Sequence, residues 1–332
     1  MRSGEDRDRE RLVAAISRRQ LLARLILAGA AISRLPTIAA AGRSRVVIPH
    51  ETSVFEGEKI AAPVLQNMLD RSVEKLTGVS RAADAWKQLF SASDVVGIKT
   101  NSGFGPGAST HVELLQAIIR GLRSAGVSED NIIVWDHTTS ALIRGGLRPN
   151  RTGPGIRYYG CDKEWGPVVK QGVFEGRICK VLSEMATAVV NVPALKKHHR
   201  CGISCALKNH FGSIEEPEKL HDVRGPYVDP GIADVSAIPA IRKKTRLVVV
   251  DALRAQYEAG PGAMLDAQWS PCSLLVSRDP VAVDAVGLEI IQKKRAELGL
   301  PRIGPEWTPW LRSAQERNLG ICDLSRIDIV DV

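Results

Sequence analysis

Short apolar runs alternate along this chain with longer segments whose apolar residues recur at helical spacing. A parallel sheet imposes that alternation. Its strands are buried on both faces, and each must be joined to the next by a long crossover, usually a helix. Runs at 45–48, 94–99, 131–135, 186–192, 246–250, 273–276 and 327–330 are the predicted strands. Between them, Thr110-His111-Val112-Glu113 has the spacing of a capping box, with Thr110 as N-cap and Glu113 at N3. That helix is expected to run to about Ser124 and stop at Gly126. Asp279-Pro280 places a capping carboxylate before a first-turn proline and opens a second helix that ends at Gly299. Glycine- and proline-rich stretches at 101–108, 145–155 and 258–263 are predicted loops within the domain, because apolar strands resume promptly after each. The expected fold is α/β: a three-layer sandwich with a mostly parallel, Rossmann-like sheet, formed as a single domain by residues 42–332.

Residues 1–41 are different in kind. A polar stretch of mixed charge leads to Ser17-Arg18-Arg19-Gln20-Leu21-Leu22, then to a weakly apolar segment broken by Arg24 and Arg34, then to Ala39-Ala40-Ala41. Adjacent arginines ahead of such a segment and an A-x-A site are the pattern of a twin-arginine (Tat) signal peptide. The expected location is therefore periplasmic or otherwise extracytoplasmic. The apolar run falls short of the roughly 20 residues that span a bilayer, so the mature chain is expected to have no stable membrane span. The Tat route carries folded proteins, which suits a cofactor such as a metal ion inserted before export.

The formal charge of +8 is half accounted for by this leader, with its eight arginines and four acidic residues. With aromatics at only 5%, the remainder offers no basic stripe interleaved with stacking rings, which excludes nucleic acid as the expected partner. Six cysteines (161, 179, 201, 205, 272 and 322) include no C-x-x-C and nothing that resembles the C-x-x-C-x-x-C run of an iron–sulfur cluster. Walker A, G-x-S-x-G and G-x-G-x-x-G motifs are absent, which leaves nucleotide and serine-hydrolase assignments without support.

What remains sits at the carboxyl ends of the predicted strands: Lys99-Thr100-Asn101, Asp136-His137, Asn191 with Lys196 and His198, and Asp251. In open α/β sheets that rim is where ligands bind. The densest segment runs Asn191-Val192-Pro193-Ala194-Leu195-Lys196-Lys197-His198, then Gly202-Ile203-Ser204, then Leu207-Lys208-Asn209-His210-Phe211-Gly212. It resembles the signature of the domain of unknown function family 362, N-x-P-x-L-K-x-H, then G-[IV]-[ST], then L-K-N-x-x-G. Further resemblance lies in Val96-Gly97-Ile98-Lys99, Ser109-Thr110-His111, Val250-Asp251 and the segment from Ser277 to Asp284. Some members of that family carry added ferredoxin-like segments, which implies a redox partner; this chain has none.

Lys196, Lys208 and His198 are the candidate catalytic residues, two cations and a titratable imidazole suited to a carboxylate, a phosphate or a developing oxyanion. Lys99, Asn101, Asn191, Asn209 and Arg254 are the candidate ligand-binding residues; Lys99, Asn101, Asn191, Lys196, His198, Lys208 and Asn209 are expected to line one cavity, while Arg254 lies just past a strand as a separate anion clamp. Lys196 and His198 should face one way and Lys197 and His199 the other, by the alternation of an extended chain. A buried Lys208 should meet an anion or carboxylate. For a metal, His111, Asp136 and His198 form one candidate set, and His198-x-x-Cys201-x-x-x-Cys205 a thiophilic alternative. His221-Asp222 stands between a helix-end and a site role, while Asp279 and Asp284 are expected to serve their own helix. Two functions fit. One is a metal- or cofactor-assisted enzyme (oxidoreductase, lyase or isomerase) acting on a small anion. The other is a periplasmic accessory protein that binds an anion or metal for an exported redox partner.

Overall fold

The apolar runs become strands of one eleven-stranded sheet. This is a computed structural model, and it describes residues 42–162, 164–222 and 228–332; the leader expected at 1–41 lies outside them. The strands are β1 (Ser44–Ile48), β2 (Val96–Lys99), β3 (Ile132–Asp136), β4 (Arg157–Gly160), β5 (Ala188–Asn191), β6 (Ala194–His198), β7 (Gly202–Ser204), β8 (Thr245–Gln256), β9 (Gln268–Trp269), β10 (Ser273–Ser277) and β11 (Ile327–Asp331). Their main order is β11-β1-β10-β8-β5-β2-β3-β4. Both antiparallel pairings on this path involve β10, and the other neighbours run parallel. The long strand β8 outruns its neighbours, and its far half pairs with β6 on one side and β9 on the other.

Alternation along the strands builds two cores. Ile132 and Val134 of β3 point to one face and Ile133 and Trp135 to the other. The first face is covered by helices Ala62–Thr77, Ala82–Leu89 and Val112–Ser124, the second by helices Gly231–Ala237, Pro280–Glu297 and Pro309–Glu316. A sheet buried on both faces must be apolar on both, which is why these strands read as unbroken apolar runs. The chain is thus a mixed α/β protein with a large, mostly parallel central sheet between helical layers. Among the described residues, no helix is long and apolar enough to cross a membrane.

One predicted cap is differently made. Helix Val112–Ser124 has His111, not Thr110, as its N-cap. Thr110 is drawn away: its hydroxyl donates to the Val192 carbonyl (2.8 Å) and accepts from the Asn101 amide (3.1 Å), stapling loop 101–110 to the end of β5. The Asp279 cap is as expected, its carboxylate accepting from the Val281 and Ala282 amides at 2.9 Å.

Candidate functional site

Parallel register brings the strand ends together. Lys99 pairs with Trp135 on one side and Asn191 on the other, so the polar residues that close β2, β3 and β5 share one rim. Lys99 is buried, and its ammonium donates to the Asp136 carboxylate at 2.7 Å. Asp136 also accepts from the Ser102 amide (2.8 Å) and hydroxyl (2.7 Å). Burial pushes this carboxyl up, but the Lys99 charge and the Ser102 bonds outweigh it and hold the group below the ordinary carboxylate range. Gly212, the last residue of the motif, lies against this pair. A Cβ there would stand 2.7 Å from Lys99 Nζ and 2.8 Å from Asp136 Oδ1, so the close approach requires glycine.

A chain of amides continues from Lys99. Asn209 donates to the Lys99 carbonyl (3.2 Å) and to Asn191 Oδ1 (2.7 Å), and Asn191 donates to the Ala206 carbonyl. Asn101 donates to Asn209 Oδ1 (3.3 Å) and accepts from Lys196 Nζ (3.1 Å). Lys196 is 0% exposed and also donates to the Ala108 carbonyl (2.5 Å), while Phe104 sets its ring 3.8 Å from the ammonium. The glycine-rich loop therefore folds over Lys196. No carboxylate bonds this lysine among the described residues; burial, joined by Lys208 and Lys99 against the pull of Asp136, pushes it down to about 7.

The segment expected to be an extended loop is strand β6, hydrogen-bonded to β7 and β8. Its alternation is as predicted at the first three positions: Lys196 and His198 are buried, and Lys197 turns outward to Glu258. His199 is exposed, bonds the Gly260 carbonyl (2.6 Å), and stacks its ring on His198 at 5.0 Å and 9°. His198 Nδ1 accepts from the Arg200 amide at 3.1 Å, which leaves the ring proton on Nε2. Burial and the neighbouring Lys208, His199, His221 and Lys196 push His198 down to about 2, so it is neutral at physiological pH.

Lys208 is 7% exposed. Its ammonium meets the Nε2 of His221 at 3.1 Å and the Phe211 ring at 3.7 Å. Burial pushes it down to about 8. His221 also lies parallel to His198 at 6.1 Å, which places it in the site. Asp284 holds this corner together: buried, it accepts from the Ala206 (2.6 Å) and Leu207 (3.0 Å) amides and so caps the turn that carries Lys208 and Asn209. Burial pushes Asp284 up to about 7. Asp284 therefore serves a different helix from its own. A carboxylate inside the apolar run Val281-Ala282-Val283-Asp284-Ala285-Val286 was the signal in the sequence. Ser102 and Phe104 gave no such signal; only the folded loop reveals them.

Arg254 and His111 lie elsewhere. Arg254 pairs with Glu58 (2.8 Å), and His111 Nδ1 bonds the buried Asp251 carboxylate (2.8 Å). Both line a groove of about 390 Å³ on the other side of loop 101–110. The candidate metal set of His111, Asp136 and His198 is not assembled, because His111 is held by Asp251 and Asp136 by Lys99 and Ser102. Nor do Cys201 and Cys205 join His198. The Cys201 thiol donates to the Ile203 carbonyl, and burial holds both thiols above their ordinary value. Among the described residues, no group of three or more His, Cys, Asp or Glu side chains could hold a metal ion.

A family model for a domain of unknown function, DUF362, matches residues 96–289, more than half of the chain. The chain belongs to the DUF362 family. Every member of the lysine–asparagine network falls within the matched region, as do Asp251, Arg254 and Asp284. A crystal structure of a protein from Thermotoga maritima is similar at a TM-score of 0.44 and 12% identity, over 74% of this chain. The chain spans 60% of that protein's length. No curated protein matches the sequence.

Proposed function

We propose that this DUF362 protein is an exported enzyme whose substrate is a small anion, bound over Lys196, Lys208 and His198. One observation carries the reading. Lys196 and Lys208 are both buried with carbonyl, amide, imidazole and aromatic partners and no bonded carboxylate among the described residues, so this part of the rim holds more positive charge than it balances. Uncompensated buried charge is costly, and an arriving carboxylate or phosphate removes that cost. The Thr100 hydroxyl, buried beside Lys99 and without a partner among the described residues, supplies a further hydrogen-bonding group at the same rim.

The enzyme reading is preferred over an accessory binding protein because of Lys196. A site built only to hold an anion keeps its lysines fully charged. An amine pushed down to about 7 is neutral in part of the population and so supplies both a proton acceptor and a nucleophile at working pH. Neutral His198, with its proton on Nε2, adds a hydrogen-bond donor in the same corner. The test is a panel of small carboxylates and phosphates, scored by rise in melting temperature and then by turnover of those that bind. Wild type should be stabilised, and Lys208→Met should lose that stabilisation. An anion that stabilises without ever being turned over favours the accessory reading, and no stabilising anion at all defeats both. Elemental analysis and an absorption spectrum of the exported protein test the expectation of a cofactor.

A further inference from the structure

The groove beyond loop 101–110 contains chemistry that the lysine cluster does not use. His111, which lines it, is paired with a buried carboxylate. Asp251 is 0% exposed and accepts from His111 twice, from the backbone amide at 2.7 Å and from Nδ1 at 2.8 Å. With Nδ1 donating to Asp251, the lone pair of the neutral ring is on Nε2. No other hydrogen bond of the His111 ring is found among the described residues. Burial disfavours the imidazolium, but Asp251 outweighs it and raises the affinity of the ring for a proton, helped by Glu113 and opposed by Arg254. Two arginines, Arg254 and Arg144, line the same groove, and Gly105, Gly107, Gly145 and Gly146 form parts of its walls. Glycine lets an anion approach the backbone closely, and arginine matches the planar geometry of an oxyanion.

We propose that this groove is a second ligand site, for a small oxyanion that carries an ionisable O–H, in which Arg254 and Arg144 take the charge and His111 takes the proton. The ligand O–H donates to Nε2. When the proton moves, it passes to Nε2 while Nδ1–H stays on Asp251, so the ligand gains one negative charge and the ring one positive. Glu58 is the competitor. It bonds Arg254 at 2.8 Å from a side chain that is 85% exposed, and an incoming oxyanion displaces it into water. The groove volume leaves room for an organic substituent on the oxyanion.

Hydrogen phosphate and sulfate separate this idea from simple anion binding, because at neutral pH they share shape and charge but only the former has a proton to donate. The measurement is the rate at which diethyl pyrocarbonate modifies His111 in the full chain, read by peptide mass spectrometry, with exposed His50 as the internal reference. Phosphate should slow modification of His111 and not of His50, and sulfate should not slow it. Glu58→Gln should strengthen the protection several-fold. Arg254→Gln should weaken it about tenfold or more, the worth of one charge-assisted bond. Equal protection by sulfate, no protection by phosphate, or weaker protection in Glu58→Gln would each overturn the proposal. None of these outcomes depends on the lysine cluster.

Discussion

Lys196 is an ordinary amine in the unfolded chain and a buried one, pushed down to about 7, in the fold. Between about 7 and the ordinary value of 10.5, the unfolded chain therefore binds the extra proton, and stability must climb with pH across that window. Lys196→Met should raise the urea midpoint at and below neutral pH and flatten the climb, leaving the share that belongs to Lys208. A midpoint that falls equally at every pH would show that the ammonium is compensated as it stands. His198 gives a slope of the same sign in a lower window. Its folded value is pushed down to about 2, so from the ordinary 6.5 downward the unfolded chain takes up a proton that the fold refuses. Stability is fully present above 6.5 and is lost as pH falls. His198→Gln should reduce that acid sensitivity, and an unchanged acid limb in the denaturation profile would place the ring in a more solvated setting than the stacked arrangement on His199 and His221.

At the level of elements, the helix–strand alternation was legible because every core strand is buried on both faces and must be apolar throughout. Strands β6 and β7 were not legible as strands. Their Lys196, Lys197 and His198 obey strand alternation, but a charged, functional sequence hides the pattern that burial would otherwise write. Of the residues named for their place after each strand, Lys99, Asn101, Asp136, Asn191 and Lys196 belong to one hydrogen-bonded network, Asp251 pairs instead with His111, and Arg254 lines a separate groove. It follows Asp251 along β8, and β8 carries it past the rim to the outer groove. The Thr110 cap failed for a related reason: a hydroxyl that could serve the helix serves the loop instead. Asp284 shows the reach of one element into another. Removing its carboxylate in Asp284→Ala leaves two buried amides at the turn before Lys208 unsatisfied, which should cost about 2–4 kcal/mol by chemical denaturation. A loss under about 1 kcal/mol would mean that the turn holds without it.

For the whole molecule, export is the property to test. Arg18 and Arg19 changed together to lysine should leave the precursor in the cytoplasm with its leader attached, as shown by fractionation and N-terminal sequencing. Normal cleavage and export of that variant would remove the Tat reading without touching the fold. The sheet itself sets a timetable. Strand β1, which begins at Ser44, has two neighbours among the described residues, β10 at Ser273–Ser277 and β11 at Ile327–Asp331. Both partners are synthesised more than two hundred residues later. Strand β1 therefore waits unpaired while more than two hundred residues are made, and the seam that locks it into the sheet closes only once β10 and β11 have emerged.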